Sequence, residues 1–328
     1  MKKKKKRGLT PLPLMIFYDL LAIGIGLTVF ALFHHVLNFQ PVSEPVVILT
    51  PSPAPTEEPE ETEIVVEEPE EQLPPGDFSR KYADLFTDGE IISDANSYRS
   101  RDLAVNYTRV EQEMLVCHVA EIYVRDVHLL QTGFSSGEYM GNTEFFTGIA
   151  SGVNAVTALS GDMYKSRWEG VVIRNGVLYR DTEFEDVCVL WPDGVMECVP
   201  AGSFDPSALV AGGAWQAWGF GPTLVKNGAS IDNSSHSLDK LNPRAAIGYA
   251  EPGHYYLVEV EGRTDYSNGM RFDQLSELFL SLGCTEAYNL DGGQSANFYW
   301  NGELLNQDFY RKVSDIIYVA ESTEGSAE

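Results

Sequence analysis

The stretch "AYNLDGGQSANFYWNG", residues 287–302, places one acidic residue and two glycines between two apolar runs. The run before Asp291 and the aromatic run after it both favour buried strands, and Asn301-Gly302 closes the second run. Asn-Gly between apolar runs is a strong signal for a two-residue hairpin turn, because both residues tolerate positive φ. The stretch therefore predicts a strand, an acidic turn, a second strand and a hairpin, in that order.

Two further Asn-Gly pairs indicate the same local structure elsewhere. They are Asn175-Gly176 in "VVIRNGVLYR" and Asn227-Gly228 in "TLVKNGASI". Additional strands are predicted in "EMLVCHVAEIYV", "RAAIGYA", "HYYLVEVEG" and "VSDIIYVAE". Repeated tight hairpins join neighbouring strands that run in opposite directions, so the sheet is predicted to be largely antiparallel.

One helix is indicated by "SNGMRFDQLSELFLSLG", residues 267–283. Its apolar residues fall on one helical face: Phe272, Leu275, Leu278, Phe279 and Leu282. Asp273 in the first turn and Gly283 after the end are typical helix boundaries. A second, weaker helix is predicted in "FFTGIASGVNAVTALSG". Helices among hairpins predict an α+β fold, a mixed and largely antiparallel sheet with packed helices.

Residues 1–39 have the pattern of a membrane anchor. Six cations in "MKKKKKRG" precede "LMIFYDLLAIGIGLTVFALF", an apolar run of 20 residues with Asp19 as its one charge. This length crosses a bilayer as a helix, and the cations should remain cytoplasmic. A cleaved signal peptide is the alternative, but no small-x-small cleavage site follows. The prediction is an uncleaved, single-pass transmembrane anchor in the cell membrane, with the C-terminal part extracellular.

Residues 40–77 are predicted to form a disordered stalk. From residue 41 to residue 77 there are 11 acidic residues and no Lys or Arg, among many prolines. Such a segment buries too little apolar surface to offset its ordering entropy, and its like charges repel. A semi-rigid linker of this kind would hold the outer domain, residues 78–328, away from the membrane.

The charge of the outer domain limits its partners. Residues 78–328 contain 17 Lys and Arg against 36 Asp and Glu, a net charge of −19. This excess of negative charge argues against nucleic acid and against anionic membrane surfaces as partners. A phosphate-bearing ligand would therefore need a local group of basic residues.

The four cysteines contain no CxxC pair, so a zinc site is not predicted. "CVLWPDGVMEC" reads as a hairpin that sets Cys188 opposite Cys198, and an extracellular location would permit a disulfide there. Cys117 and Cys284 lie in apolar runs and are predicted to be buried thiols.

Four short segments combine glycines with residues that could carry chemistry: "ALSGDMYKS", "AWGFGPTLVKNG", "LNPRAAIGYA" and "AYNLDGG". Each also has a structural explanation when taken alone. Asp162 and Asp291 could simply cap turns, the glycines could allow close backbone packing, and Arg244 could form a structural ion pair. No single segment distinguishes a structural role from a chemical one.

Taken together, the segments resemble the phosphodiester glycosidase family. "GDMY", "GFGPTLVKNG", "NPRAAIGY" and "LGCTEAYNLDGGQSANFYWNG" occur in the order and spacing of that family, and the resemblance extends over residues 100–321. It implies hydrolysis of a sugar-1-phosphodiester, of the N-acetylglucosamine-1-phosphate type, to a free sugar and a phosphomonoester. An envelope or exopolysaccharide polymer is the expected substrate.

Within that resemblance, Asp291 and Asp162 match the family and are the candidate catalytic carboxylates. One of them would act at the anomeric carbon as nucleophile or as base for water, with the division of roles open. Arg244 is predicted to hold the phosphate. The other candidate substrate-binding residues lie close in sequence to these three: Gly292, Gly293, Ser295, Asn289, Tyr164 and His236. The N–H groups of the two glycines and the Ser295 hydroxyl would complete a phosphate cradle.

The sequence departs from the family pattern at Ser160, where the family has Asn, and at Gln294, where it has Gly. These departures keep a second interpretation open: a non-catalytic ectodomain of the same fold that binds wall polymers or carbohydrate. No cofactor is required by the predicted chemistry. A divalent cation is left open, because acidic loops near phosphate often bind one.

Overall fold

The computed structural model describes residues 73–306 and 311–322. Within this part of the chain no helix has the length and hydropathy needed to cross a bilayer. The predicted anchor, residues 1–39, lies outside the described residues, and so does the predicted stalk up to residue 72. The boundary at residue 78 between stalk and outer domain stays a prediction.

Strands dominate the described residues. In chain order they are β1 Ile92–Ser93, β2 Ser97–Arg99, β3 Leu103–Gln112, β4 Leu115–Val124, β5 Leu130–Phe134, β6 Glu144–Phe145, β7 Thr157–Ser160, β8 Val172–Arg174, β9 Val177–Arg180, β10 Val187–Leu190, β11 Met196–Val199, β12 Gln216–Trp218, β13 Thr223–Lys226, β14 Ala229–Ser230, β15 Arg244–Glu251, β16 His254–Val260, β17 Glu286–Asn289, β18 Phe298–Trp300, β19 Glu303–Leu304, β20 Lys312–Val313 and β21 Asp315–Val319.

The helices of the described residues are few and short. They are α1 Phe146–Gly152, α2 Pro206–Ala211 and α3 Phe272–Ser281, with single 3₁₀ turns at Ala83–Leu85, Val127–Leu129, Ser135–Gly137, Tyr164–Ser166 and Gly293–Ser295. The predicted α+β class with packed helices is therefore wrong, and the domain is predominantly β. The weaker predicted helix, residues 145–161, is helical only as α1, and its C-terminal apolar residues form β7 instead.

The strands form three larger sheets and one two-stranded ladder. The nine-stranded sheet has the order β1-β2-β3-β4-β16-β15-β17-β13-β14, and the five-stranded sheets have the orders β11-β10-β12-β8-β9 and β19-β18-β7-β21-β5. Every pairing between these strands is antiparallel, so the expectation of a mixed sheet is also wrong. Hairpins and antiparallel neighbours replace the helical crossovers that parallel strands would require.

All three Asn-Gly hairpins are confirmed. Asn175, Asn227 and Asn301 have φ of 52°, 51° and 46°, and the glycine after each also has positive φ. They connect β8 to β9, β13 to β14 and β18 to β19. The local turn preference was sufficient to predict these pairings.

A central core fills the space between the three larger sheets. It contains residues of the nine-stranded sheet and of both five-stranded sheets, among them Ile122, Ile247, Leu190, Trp218, Leu159 and Phe298. The opposite face of the nine-stranded sheet is covered by α3, whose Phe272, Leu275 and Phe279 are buried as predicted. A Cβ at Gly248 would lie 2.5 Å from the Phe279 ring, so glycine is needed there for the helix to approach.

Candidate active site

A cleft of about 340 Å³ opens where β17 leaves the nine-stranded sheet. β17 lies between β15 and β13, and the residues that follow it, Leu290 to Gln294, line the cleft. The Leu290 N–H still donates to Ala245 (2.8 Å), whereas the Asp291 N–H donates to the Gly161 carbonyl beyond the end of β7 (3.0 Å). Asp291 is therefore fixed at the junction of two sheets.

The Asp291 carboxyl lines this cleft, with 8% of the residue exposed. Burial raises its pKa from 3.8 to about 6, and the nearby Asp162 also raises it. A hydrogen bond from Ser295 and the positive charges of Arg311 and Arg167 oppose this rise. Asp291 consequently changes its protonation state close to neutral pH, as a carboxyl that takes part in catalysis would.

Asp162, the second predicted carboxylate, is in a different environment. It is 2% exposed, and its Oδ1 lies 2.7 Å from Arg174 Nη2. Oδ1 also accepts from the Tyr164 N–H (3.2 Å), and Oδ2 accepts from the Gly219 N–H (2.9 Å). Both oxygens are thus used by the protein, and Asp162 does not line the cleft.

Arg174 is shared between two buried carboxyls, and the sequence patterns did not identify it. Its Nη2 lies 3.2 Å from Asp315 Oδ2 as well as contacting Asp162. Burial and the neighbouring Asp162 raise the pKa of Asp315 to about 7. Asp315 also contacts the turn before Asp162, since a Cβ at Gly161 would lie 2.4 Å from its carboxyl. These groups support the backbone that holds Asp291.

The two glycines after Asp291 are needed for close backbone packing. A Cβ at Gly292 would lie 2.6 Å from the Pro243 carbonyl oxygen. Gly293 has φ of +62°, and its N–H donates to that same carbonyl (2.9 Å). The Gly293 N–H is thus engaged within the protein, whereas the predicted cradle would need it for phosphate. Ser295 is buried and hydrogen-bonds Asp291.

Arg244 lines the cleft at the start of β15 and is 4% exposed. Its Nε donates to Met270 O (2.8 Å), and its Nη2 donates to Leu238 O (2.8 Å) and Lys240 O (2.6 Å). Burial lowers its pKa to about 10. No carboxylate of the described residues pairs with it, and Nη1 makes no hydrogen bond to them. Arg244 organises the neighbouring loop, and the prediction that it holds phosphate stays a prediction that rests on Nη1.

Three further arginines line the cleft, and the sequence patterns singled out none of them. Arg167 stacks its guanidinium over Phe184 (5.0 Å) and Phe220 (4.7 Å). Arg263 Nη2 donates to Asn242 Oδ1 (2.9 Å), and Arg311 contacts the sulfur of Met163. The local basic group that a phosphate ligand requires is therefore present in a strongly acidic domain.

Asn289 lines the cleft two residues before Asp291 and is 1% exposed. Its Nδ2 donates to Gly221 O (2.7 Å), whereas its buried Oδ1 has no hydrogen-bond partner among the described residues. A buried acceptor without a partner is costly unless a ligand or water satisfies it. Asn289 thus presents an acceptor suited to a sugar hydroxyl or amide N–H.

Two of the predicted binding residues do not line the cleft. Tyr164 is buried against the rings of Phe134 and Tyr139, and its hydroxyl accepts from the Met140 N–H (3.1 Å). His236 packs edge-on against Phe272, and its Nδ1 accepts from the Leu238 N–H (3.2 Å). Both contacts are structural, although Leu238 itself lines the cleft.

The two departures from the family pattern have different settings. Ser160 is buried, donates its hydroxyl to Ser295 O and accepts from the Asn297 N–H (3.2 Å), so it ties the end of β7 to the turn after Asp291. Gln294 is exposed and lines the cleft. Of the two, Gln294 is placed to contact a bound ligand directly.

The cysteines pair in register without forming a disulfide. Cys188 on β10 lies opposite Cys198 on β11, as predicted, but both are free thiols. Cys117 and Cys284 are buried thiols, also as predicted. Among the described residues no group of three His, Cys, Asp or Glu side chains is arranged to hold a metal ion.

The family model and a named relative of known activity both indicate the same protein family. The family model "Phosphodiester glycosidase" matches residues 153–320. The SPbeta prophage-derived uncharacterized protein YomE of Bacillus subtilis is 31% identical over 183 residues, which is 52% of this chain and 28% of that protein. N-acetylglucosamine-1-phosphodiester alpha-N-acetylglucosaminidase of Bos taurus is 29% identical over 98 residues, 25% of this chain and 18% of that protein. The chain therefore spans less than a third of the length of these relatives.

Two solved structures share the fold. The zebrafish N-acetylglucosamine-1-phosphodiester alpha-N-acetylglucosaminidase catalytic domain, auto-inhibited by its pro-peptide, superposes with a TM-score of 0.56 and 20% identity, over 71% of this chain and 88% of that one. A hypothetical protein from Synechocystis has a TM-score of 0.51 and 13% identity, over 67% and 62% of the two chains. At these identities the likeness concerns the fold alone.

Proposed function

Because the chain belongs to the phosphodiester glycosidase family, we propose that it hydrolyses a glycosyl phosphodiester at the sugar carbon. Water adds to the anomeric carbon, the bond from that carbon to the phosphate oxygen breaks, and the products are a free sugar and a phosphomonoester. The observation that carries the proposal is Asp291, a buried carboxyl with a pKa of about 6 in a cleft lined by four arginines.

Asp291 is the group that acts at the anomeric carbon in this proposal. It lines the cleft, whereas both oxygens of Asp162 are used by Arg174 and by backbone N–H groups. In its ionised form it can attack that carbon or take a proton from water. Asp162 is then a positioning residue, which holds the turn whose Gly161 carbonyl binds the Asp291 N–H.

Arg311 and Arg167 are the groups proposed for the scissile phosphate, because both act electrostatically on Asp291. A phosphoryl leaving group departs as an anion, so it needs stabilisation by positive charge more than it needs a proton. Planar guanidinium groups suit phosphate oxygens geometrically. Asn289 Oδ1 is proposed to accept a hydrogen bond from the sugar, and its burial without a partner among the described residues supports this role.

The test is an activity assay on the full chain. We expect release of free sugar and phosphomonoester from an N-acetylglucosamine-1-phosphodiester, and loss of that release in Asp291→Asn. Asp193→Asn, on the exposed hairpin turn between β10 and β11, is a matched control that should retain activity. Saturable binding of wall phosphopolymer without any release would favour the alternative, a non-catalytic polymer-binding ectodomain in which Gln294 alters the cleft.

We also propose that the domain acts outside the cell, anchored by residues 1–39 and carried on the acidic segment that follows, with an envelope polymer as substrate. The support is the sequence alone: six cations before an apolar run of 20 residues. Deleting residues 1–39 should move the protein from the membrane fraction to the soluble fraction. External protease should degrade the domain in intact cells, and protection of the domain would contradict this location.

A further inference from the structure

The described residues that line the cleft carry more positive charge than one phosphodiester can neutralise. Among the described residues that line it, Asp291 is the single acid, and the basic residues are Arg167, Arg244, Arg263 and Arg311. With Asp291 ionised, the lining carries three net positive charges, whereas a phosphodiester carries one negative charge. This local excess of positive charge contrasts with the net charge of the domain, which is −19 over residues 78–328.

The arginines divide into two groups by position. Arg311 and Arg167 line the cleft and lower the pKa of Asp291 electrostatically, so the proposed function assigns them to the scissile phosphate. Arg263 instead lies beside Gly293, where a Cβ would be 3.6 Å from both of its Nη atoms. Burial lowers the pKa of Arg244, the Asp239 carboxylate opposes this effect, and the charge of Arg263 lowers the pKa further. A second positive region therefore exists beyond the Gly292-Gly293 turn.

Arg263 is held in place without any carboxylate partner among the described residues. Its Nη2 donates to the neutral Asn242 Oδ1 (2.9 Å), and its backbone has φ of 59°, a left-handed conformation that non-glycine residues rarely adopt. Residues held in such conformations cluster at functional sites, where the surrounding structure maintains them. Two neighbouring guanidinium groups repel each other, and a bound anion would remove that repulsion.

We propose that the intact substrate carries at least two negative charges, one on the scissile phosphate and one on a second anion further along the leaving group, and that Arg263 binds this second anion. This proposal rests on the proposed function and defines its substrate class. Two sources share the chemistry: a glycosyl diphosphate, and a polymer of phosphodiester-linked units. In both, the second phosphate follows the scissile one along the leaving group.

The experiment compares two substrates that differ by one phosphate. The full chain is assayed with the methyl diester of N-acetylglucosamine-1-phosphate and with the methyl diester of N-acetylglucosamine-1-diphosphate. We expect a higher kcat/KM for the diphosphate, and Arg263→Gln should lower it about 10- to 100-fold while changing the monophosphate about twofold or less. Arg263→Lys should retain part of the preference, because it keeps the charge.

Two further variants serve as comparisons. Arg311→Gln should impair both substrates to a similar extent, since it acts at the scissile phosphate. Arg109→Gln removes an exposed arginine of β3 that pairs with Glu111 and should change neither. An oligomer of phosphodiester-linked units distinguishes the two sources: faster turnover of the oligomer than of the diphosphate identifies the polymer, and the reverse identifies the diphosphate.

Equal kcat/KM for the two matched substrates, or equal losses in Arg263→Gln, would overturn the proposal. Absence of cleavage in every assay would instead count against the proposed function. Calorimetry would then test whether the anion site exists. Pyrophosphate binding tighter than methyl phosphate binding in the full chain, with the difference lost in Arg263→Gln, supports the site. Equal binding of the two anions refutes it.

Discussion

The turns that follow β7 and β17 each carry an aspartate, Asp162 and Asp291, but the two carboxyls have different surroundings. Asp162 is neutralised by Arg174 and hydrogen-bonded by two backbone N–H groups. Asp291 has arginines nearby but forms no direct ion pair with any described residue, and burial raises its pKa to about 6. The difference teaches that the partners of a buried carboxyl, and not the sequence pattern around it, decide whether it is available for chemistry.

The largest expected effect is the loss of activity when Asp291, the aspartate of the turn after β17, is replaced. Asp291→Asn should lower kcat/KM about 10³-fold or more, because it removes the group that acts at the anomeric carbon. Because the folded pKa of Asp291 is raised from 3.8 to about 6, its ionisation lowers folding stability progressively between about pH 4 and pH 6, and the full cost is present at pH 7. The variant should therefore be more stable at pH 7, by up to about 3 kcal/mol. Steady-state kinetics and thermal unfolding check both parts, and an active Asp291→Asn protein would refute the assignment.

The main effect of Asp162→Asn should be a loss of folding stability. It leaves Arg174 buried with Asp315 as its one remaining carboxyl partner, and breaking a buried ion pair costs about 3 kcal/mol. Urea unfolding measures the loss, and residual activity should be detectable at low temperature, where the folded fraction is large. A fully folded but inactive variant would show instead that Asp162 takes part in the reaction.

The pH profile sharpens the same comparison. If the ionised form of Asp291 reacts, kcat/KM should rise with pH up to about 6 and then level off, with about a tenfold loss at pH 5. A profile measured from pH 4 to pH 8 would reveal the opposite trend if the protonated carboxyl were the reacting form. The substrate phosphodiester stays ionised over this range, so it does not contribute the change.

The smallest expected effect is that of metal removal. Arginines supply positive charge beside Asp291, and Asp162 has both oxygens engaged by the protein. Activity should therefore change less than about twofold after treatment with EDTA. A large loss that Mg²⁺ or Ca²⁺ restores would require a metal site formed with the substrate.

Several features of the fold could be predicted from local sequence. The Asn-Gly pairs determine their turns through positive φ, and the apolar face of Phe272, Leu275 and Phe279 determines α3. The fold class was predicted wrongly because local patterns do not reveal how sheets stack. Helix α3 covers one face of one sheet, whereas the central core lies between sheets.

The sequence by itself determined the hairpins, the helix, the position of Asp291 at a strand end and the absence of a global positive field. The tertiary structure alone decided which aspartate lines the cleft and which arginines surround it. The reason is physical: Arg174 meets Asp315 across 141 residues of chain, and Arg167, Arg263 and Arg311 come from separate loops. Turn and helix preferences act over a few residues, whereas burial and charge neutralisation depend on contacts that exist only in the folded protein.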